Sequence, residues 1–570
     1  MSMWGLSWLL IRRQRPMYLV YSACWLVFLV GRLVPGLFEQ AIFNHLGSAH
    51  PVGINVWTLI ALMVSFELAR LTAYLGTAFA EVTVQYSSNA TIQRNMLAAV
   101  LRRPGAAALS DSPEQTLNRF RDDAQDVALF TTEPVTLLGT FLFSVIAVVY
   151  MAKISVSLTV IVVVPLLLVI SLAMIAQNQV HRYRLASRNE TARLTAFLGS
   201  TFGAAETIKN AGAEQHFLRE IRAINASRRT ASARDATFAQ VLDSVFYNSV
   251  DLGVGLILLL AARAILSREF TVGDFALFDY YLFFVTRLPV TAGGFLVQSR
   301  QTAVAARRLA AVARSEDAGT LASTQPSPPA RIDGLDRLRE LRATGLTWTY
   351  PGGTHGIRDL DITIRAGTLT VIAGRVGAGK TTLLRCLLGL LPVKSGAVYW
   401  NGQRLDQPDL ALVPPRAAYV PQVPHLFSDS LLENIALGMR LGDDLVSQAV
   451  TGAALDRDVQ GMPAGLETRI GPRGVRLSGG QAQRAAIARA LVRLPELLVI
   501  DDPASAVDQA TERALVDLLF SGGTYLVASN RKTLIERADQ VILLDRGTVL
   551  DRGTPGELMA RDPQLRDFWH

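Results

Sequence analysis

Apolar positions along this chain fall into two rhythms. Before about residue 310 they form long unbroken runs, and after about residue 340 short runs alternate with helical stretches. Ile154–Val180 passes without a single charge, and so does Pro134–Ala152. Each matches the length of a bilayer-spanning helix, which takes about 20 apolar residues. Met17–Phe38, Val52–Ala80, Ala239–Ala262 and Phe275–Val297 are similar runs, each interrupted by one to three ionisable residues. A buried helix of a soluble bundle is the alternative for these four, but their even placement around two clear spans favours six crossings. The connections near 82–132 and 181–238 far exceed ordinary loops. They are rich in Ala, Leu, Arg, Glu and Gln, which are helix formers. The pattern therefore predicts spans that continue as helical arms, with turns near Leu109–Glu114 and Asn210–Gln215.

Ser315–Asp333, with Pro326, Pro328 and Pro329, reads as a linker. Beyond it, alternating strand-like and helix-like runs predict an α/β domain. The expected division is 1–314 for the membrane domain, 315–337 for the linker and 338–570 for the α/β domain.

Charge sets an orientation. Arg12, Arg13 and Arg15 precede the first span, and Arg94, Arg102, Arg103, Arg119 and Arg121 fill the connection after the second. Arg182, Arg184, Arg188, Arg193, Lys209, Arg219, Arg228 and Arg229 fill the one after the fourth. Gly47–Gly53, the surroundings of Lys153, and Leu266–Gly273 are poor in basic residues. Basic residues stay on the cytoplasmic side, so both termini, the arms and the α/β domain are expected there, at a bacterial inner or plasma membrane. The net charge of +8 is then a topology signal, and no nucleic-acid partner is expected. Cys24 and Cys386 fall in a span and in a cytoplasmic helix, so no disulfide is expected.

The chemistry lies in the second half. Gly374-Arg375-Val376-Gly377-Ala378-Gly379-Lys380-Thr381-Thr382 fits G-x-x-x-x-G-K-[ST], between a strand-like run Leu369–Ala373 and a helical stretch Leu383–Leu391. Such a loop wraps nucleotide phosphates with backbone N–H groups and a helix N-terminus. Lys380 can reach the outer phosphates and Thr381 can ligate Mg²⁺, with ATP or GTP as the ligand. The strand Leu497–Ile500 ends in Asp501 and Asp502, and the first carboxylate of such a pair sits beside the metal. Between the motifs stands Leu477-Ser478-Gly479-Gly480-Gln481, which opens a helix predicted over Ala482–Arg493 and suits a phosphate.

Together these motifs resemble the ATP-binding cassette (ABC) superfamily, and nearly the whole chain resembles an exporter-type half-transporter. The resemblance implies a multidomain fold: an all-α membrane domain of six transmembrane helices, then an α/β P-loop nucleotide-binding domain. It implies that Tyr350 stacks on adenine and that Gln422 ligates Mg²⁺ and senses the γ-phosphate. Ser505 and Asp508 would contact the opposite cassette, Gly471–Gly474 would face the arms, and the arm tips would match the coupling helices. Two chains of this family close two ATPs between them, each nucleotide held by the loop of one chain and the Leu477–Gln481 signature of the other.

Two positions depart from the family pattern. Asp502 stands where briskly hydrolysing members carry Glu, and Asn530 where they carry His. A shorter carboxylate and an uncharged amide at the two positions that handle hydrolysis imply a weakened site. With the signature intact, this suggests one half of a heterodimer. A homodimeric slow exporter, an importer of chelated metal and an ATP-gated channel or regulator are the other readings. Arg32, Glu67, Arg70, Asp243, Asp251, Asp279 and Arg287 are ionisable positions in or near the spans, fitting either a polar pathway or bundle-stabilising pairs. The transported substrate does not follow from the sequence.

Overall fold

The computed structural model describes residues 2–47, 55–103, 105, 113–266, 270–314, 317–323, 334, 336–350, 353, 355–471, 477–503, 516–517 and 522–561. Ser505, Asp508, Pro472–Gly474 and most of the linker 315–337 and of the expected tip Leu109–Glu114 lie outside these residues. The chain forms two compact units, one of Met1–Met96 with Glu114–Thr324 and one of Leu97–Pro113 with Gln325–His570.

The first unit is helical. Four runs among the described residues are long and apolar enough to cross a membrane: Arg15–Leu46, Val56–Leu101, Gln115–Ile154 and Val272–Ala313. The other two expected crossings fall within the helices Val156–Gly203 and Glu214–Leu266. These helices are long, as the arms require. At about 1.5 Å per residue, the 46-residue helix Val56–Leu101 covers more than twice a hydrocarbon core of about 30 Å. The turn expected near Asn210–Gln215 is a short helix, Ala205–Asn210, followed by Gly212 at φ 61° before the next long helix begins at Glu214.

Two spans are broken where the apolar pattern predicts continuity. Arg15–Val30 and Leu33–Leu46 are separate helices, as are Val272–Val285 and Arg287–Ala313. Pro35 and Pro289 follow the breaks closely, and a proline lacks the N–H that would bond back into the preceding turn. Small residues let the helices Leu33–Leu46 and Val272–Val285 approach closely. A Cβ on Gly273 would lie 2.2 Å from the Gln40 carbonyl oxygen, and one on Gly36 would lie 2.5 Å from the Tyr281 ring. Gln40 donates to Asp274 at 2.6 Å, the Gly273 N–H to Asn44 at 3.2 Å, and the Tyr281 hydroxyl to the Leu33 carbonyl at 2.7 Å. Close backbones with polar cross-links are how helices hold together without a hydrophobic drive between them.

The second unit carries two sheets. β1 (Glu340–Thr349), β2 (Gly356–Arg365), β4 (Ser395–Trp400) and β5 (Gln403–Leu405) form an antiparallel sheet in the order β2-β1-β4-β5. β3 (Leu369–Gly374), β6 (Ala417–Val420), β7 (Leu497–Asp501), β8 (Tyr525–Ala528), β9 (Gln540–Asp545) and β10 (Thr548–Gly553) form the other, ordered β10-β9-β3-β8-β7-β6. All its pairings are parallel except β9 with β10. β3 and β7 are buried at every residue, which explains their unbroken apolar sequence. Alternate residues go to opposite faces: Val371, Leu498, Ile500 and Val527 join one core, and Ile372, Leu497, Val499 and Leu526 the other.

Asn401-Gly402 closes the β4–β5 hairpin, with φ of 50° and 84°, the pairing that a two-residue turn favours. Asn401 also accepts from the N–H groups of Arg339 and Glu340 at 2.7 and 3.0 Å and donates to the Arg337 carbonyl at 2.7 Å. Asn401→Ala removes these bonds and leaves a residue ill suited to that φ. It should cost roughly 2 kcal/mol, read as a lower thermal unfolding transition of the cassette with the ATP affinity below that transition unchanged.

Candidate nucleotide site

The site forms where β3 and β7 end. Gly374, Gly377 and Gly379 adopt φ of 156°, 85° and 105°, so the loop folds tightly over the strand end. A Cβ on Gly374 would lie 2.3 Å from the Leu544 carbonyl oxygen of β9, so only glycine fits. The helix after the loop spans Lys380–Leu387, starting three residues before the expected stretch Leu383–Leu391 and ending earlier. It stops because Gly389 takes φ 69° against the backbone of Asp409. Strand β3 likewise runs one residue further than expected, to Gly374.

Lys380 Nζ donates to the carbonyls of Gly374 and Arg375 at 2.6 and 3.2 Å, which holds the ammonium over the loop. Thr381 Oγ1 donates to Asp501 Oδ1 at 3.1 Å and the Tyr419 hydroxyl to Asp501 Oδ2 at 3.3 Å. Asp501 is only 2% exposed. Burial pushes its carboxyl up from the usual range, and the two hydroxyl donors and the Arg385 and Lys380 charges pull it back. Burial also pushes Asp502 up, opposed by Arg531, Lys380 and a hydrogen bond from Gln422. Lys380 is pushed down by burial and held up by the two carboxylates. The phenol of Tyr419 is pushed up to about 12 by burial and by Asp501.

A cleft of about 630 Å³ opens above this floor, lined by Tyr350, His355, Val376–Thr382, Gln422, Asp501, Asp502 and Ser529–Arg531. The structure thus brings Tyr350, the loop, Gln422, Asp501, Asp502 and Asn530 together. Tyr350 is 44% exposed, packs edge-on against Trp348 at 4.3 Å and lies 3.4 Å from Thr382 Oγ1, leaving a ring face for a base. Asn530 Oδ1 accepts the Gly374 N–H at 3.0 Å. Asp502 lies just beyond β7 at φ 52°, and Gln483 donates to its backbone carbonyl.

Leu477–Gln481 does not line this cleft among the described residues. Ser478 is exposed and caps the helix Gly479–Leu491, which begins before the expected Ala482 because of that cap. The Ser478 hydroxyl accepts from the Gln481 N–H at 3.3 Å, and Gln481 Oε1 accepts from the Ser478 N–H at 2.9 Å. Gln481 and Arg484 both donate to Asp458, at 2.9 and 2.7 Å.

The sequence motifs assign no role to Tyr419, Arg385, Gln483, His355 or Arg531. For Tyr419 a signal exists: it alternates with buried Ala418 and Val420 on the strand beside β7, a period that turns its hydroxyl towards the carboxylate. The donor set suits Mg-ATP: a buried carboxylate facing a hydroxyl, an ammonium over a glycine loop, and a side-chain amide opposite. Thr381, Asp501 and Gln422 would hold Mg²⁺, which neutralises phosphate charge when bound.

Thr381→Val keeps the shape and removes the hydroxyl. ATP binding in excess chelator should change less than about 2-fold, while the gain in affinity from Mg²⁺ should fall at least about 10-fold, as measured with a fluorescent ATP analogue.

The ABC transporter family profile matches residues 357–505, and the ABC transporter transmembrane region profile matches residues 26–288. An ATP-dependent lipid A-core flippase of Xanthomonas oryzae pv. oryzae is 27% identical over 97% of this chain and 95% of its own. A probable multidrug resistance ABC transporter ATP-binding/permease protein of Bacillus subtilis is 34% identical over 57% of this chain and 56% of its own. A multidrug efflux ATP-binding/permease protein of Mycobacterium tuberculosis is 27% identical over 99% of this chain but only 47% of its own. The match with the B. subtilis protein thus covers a little over half of each, and the chain spans about half the length of the M. tuberculosis relative. A bacterial Atm1-family ABC exporter with ATP bound shares the fold, at a TM-score of 0.76 and 20% identity over 98% of both chains. The chain belongs to the ABC transporter family, as a membrane domain fused to an Mg-ATP-binding cassette whose ATPase activity is coupled to transport.

Proposed function

We infer that this chain is one half of a heterodimeric exporter, that it crosses the membrane six times with both termini in the cytoplasm, and that its own cassette site hydrolyses ATP slowly. The observation that carries the reading is the state of the two departing residues. The Asn530 carbonyl oxygen takes the N–H of Gly374 in the phosphate loop, and an amide cannot supply the positive charge of a protonated histidine. Asp502 is a methylene shorter than Glu, and a displacement of about 1 Å from the working geometry can cost roughly 10²-fold in rate. The floor of the site is sound, so Mg-ATP binds and persists.

The signature supports pairing. Ser478 and Gly479 are exposed at the N-terminus of a capped helix, which offers N–H groups and a partial positive charge to an anion. In the dimer they close on the nucleotide of a second half-transporter that carries Glu and His. The double-length relative from M. tuberculosis has room for two such halves in one chain. Outward movement is favoured by the exporter fold and by relatives named for efflux and flipping.

Purified alone, this chain should bind Mg-ATP yet turn it over slowly; brisk hydrolysis by the lone chain would refute the heterodimer. Asp502→Glu together with Asn530→His should raise turnover at least about 10-fold, measured by phosphate release in bilayer discs. No gain from the double variant with ATP affinity preserved would remove the weakened-site reading.

A further inference from the structure

Three arginines converge inside the membrane unit. Arg32 stands inward of the Leu46 end of its helical run, Arg70 inward of Val56, and Arg287 inward of Val272. Each is about four helical turns from that end. The Leu46 and Val272 ends lie side by side, since the Gly273 N–H donates to Asn44. At about 1.5 Å per residue all three sit about 21–23 Å from those ends, inside a hydrocarbon layer of about 30 Å. They are also close in space. Arg32 and Arg70 flank the same ring, with guanidinium carbons 5.4 and 5.2 Å from the centre of Phe28. Arg32 also lies 4.7 Å over Phe284, and Arg287 lies 5.3 Å over Phe283. The charges of Arg70 and Arg287 both act on Arg32.

Among the described side chains the positive charge is not matched in place. Among the described residues, Glu67 pairs with Arg70 at 2.9 Å, and no carboxylate lies within ion-pairing distance of Arg32 or Arg287. Arg70 Nε and Nη1 are buried and have no partner within hydrogen-bond geometry, and the Tyr280 hydroxyl stands beside the same guanidinium. Among the described side chains of this region, the acids Glu39 and Asp279 act on each other and lie nearer the Leu46 and Val272 ends than the arginines do. They stand about 10 Å or more outward of the arginines along their helices. Arg32 and Arg287 also fall at the two helix breaks before Pro35 and Pro289, and broken helices mark ligand sites in transporters. Uncompensated guanidinium groups facing lipid are strongly disfavoured, so such residues line a polar pathway.

We propose that Arg32, Arg70 and Arg287, with Phe28, Phe283 and Phe284, form a binding site for an amphipathic anion, the substrate class of the transporter. The guanidinium groups take the phosphate or carboxylate head, and the rings take the adjoining apolar body. This rests on the transport reading but not on the heterodimer, so binding is measured on the full-length chain without reference to turnover.

The probe is dodecyl phosphate, titrated into the protein in neutral maltoside micelles and followed by calorimetry. Dodecyltrimethylammonium and inorganic phosphate serve as comparators. Dodecyl phosphate should bind saturably, at least about 10-fold more tightly than either comparator. Arg32→Gln and Arg287→Gln should each weaken it about 10-fold or more, and Arg32→Lys should restore part of the loss, with Mg-ATP affinity unchanged in every variant. Equal binding of the cationic amphiphile would overturn the proposal. So would equal binding of inorganic phosphate, which would mean a site for a small anion, or Gln variants that bind dodecyl phosphate like the parent while still binding ATP.

Discussion

The bond between Thr381 and Asp501 ties together the two parts of the cassette on which everything else depends. Thr381 belongs to the helix that follows β3, and Asp501 ends β7, with β8 between the two strands. A buried carboxylate is costly unless its oxygens are satisfied, and here each oxygen receives a hydroxyl, one from Thr381 and one from Tyr419. The loop is thereby held against the sheet before any ligand arrives. Lys380, bonded to loop carbonyls, has exchangeable partners, whereas the backbone conformation of the glycines has none. The site is therefore built on strand ends tied to each other through Asp501.

The nucleotide loop, the strand-end carboxylates, the signature and the long arms are legible in the sequence because each is a local pattern. A glycine spacing sets a loop, and an unbroken apolar run sets a doubly buried strand. What the sequence hides is relational. The helix breaks before Pro35 and Pro289 are masked by the apolar character of the residues around them, since hydropathy records transfer energy and not backbone continuity. The bond from Tyr419 to Asp501 depends on β6 pairing with β7, strands far apart in the chain. The helix start at Gly479 is hidden because Ser478 and Gln481 carry a phosphate-binding pattern and in this chain also cap each other.

The cap on the signature has a consequence for how one chain serves two sites. The helix Gly479–Leu491 presents its exposed N-terminus in one direction, while Gln483, 1% exposed, donates from its second turn to the backbone carbonyl of Asp502. The same helix thus bonds the backbone of Asp502 in this chain's own site and carries the groups intended, under the proposed pairing, for the partner's nucleotide. A helix cannot shift one end without moving the other, because its backbone bonds are shared along its length. Asp502 is held at φ 52°, a conformation that Asp accepts more readily than most residues. The shorter side chain therefore suits the backbone that Gln483 braces, which gives the departure at position 502 a local structural reason.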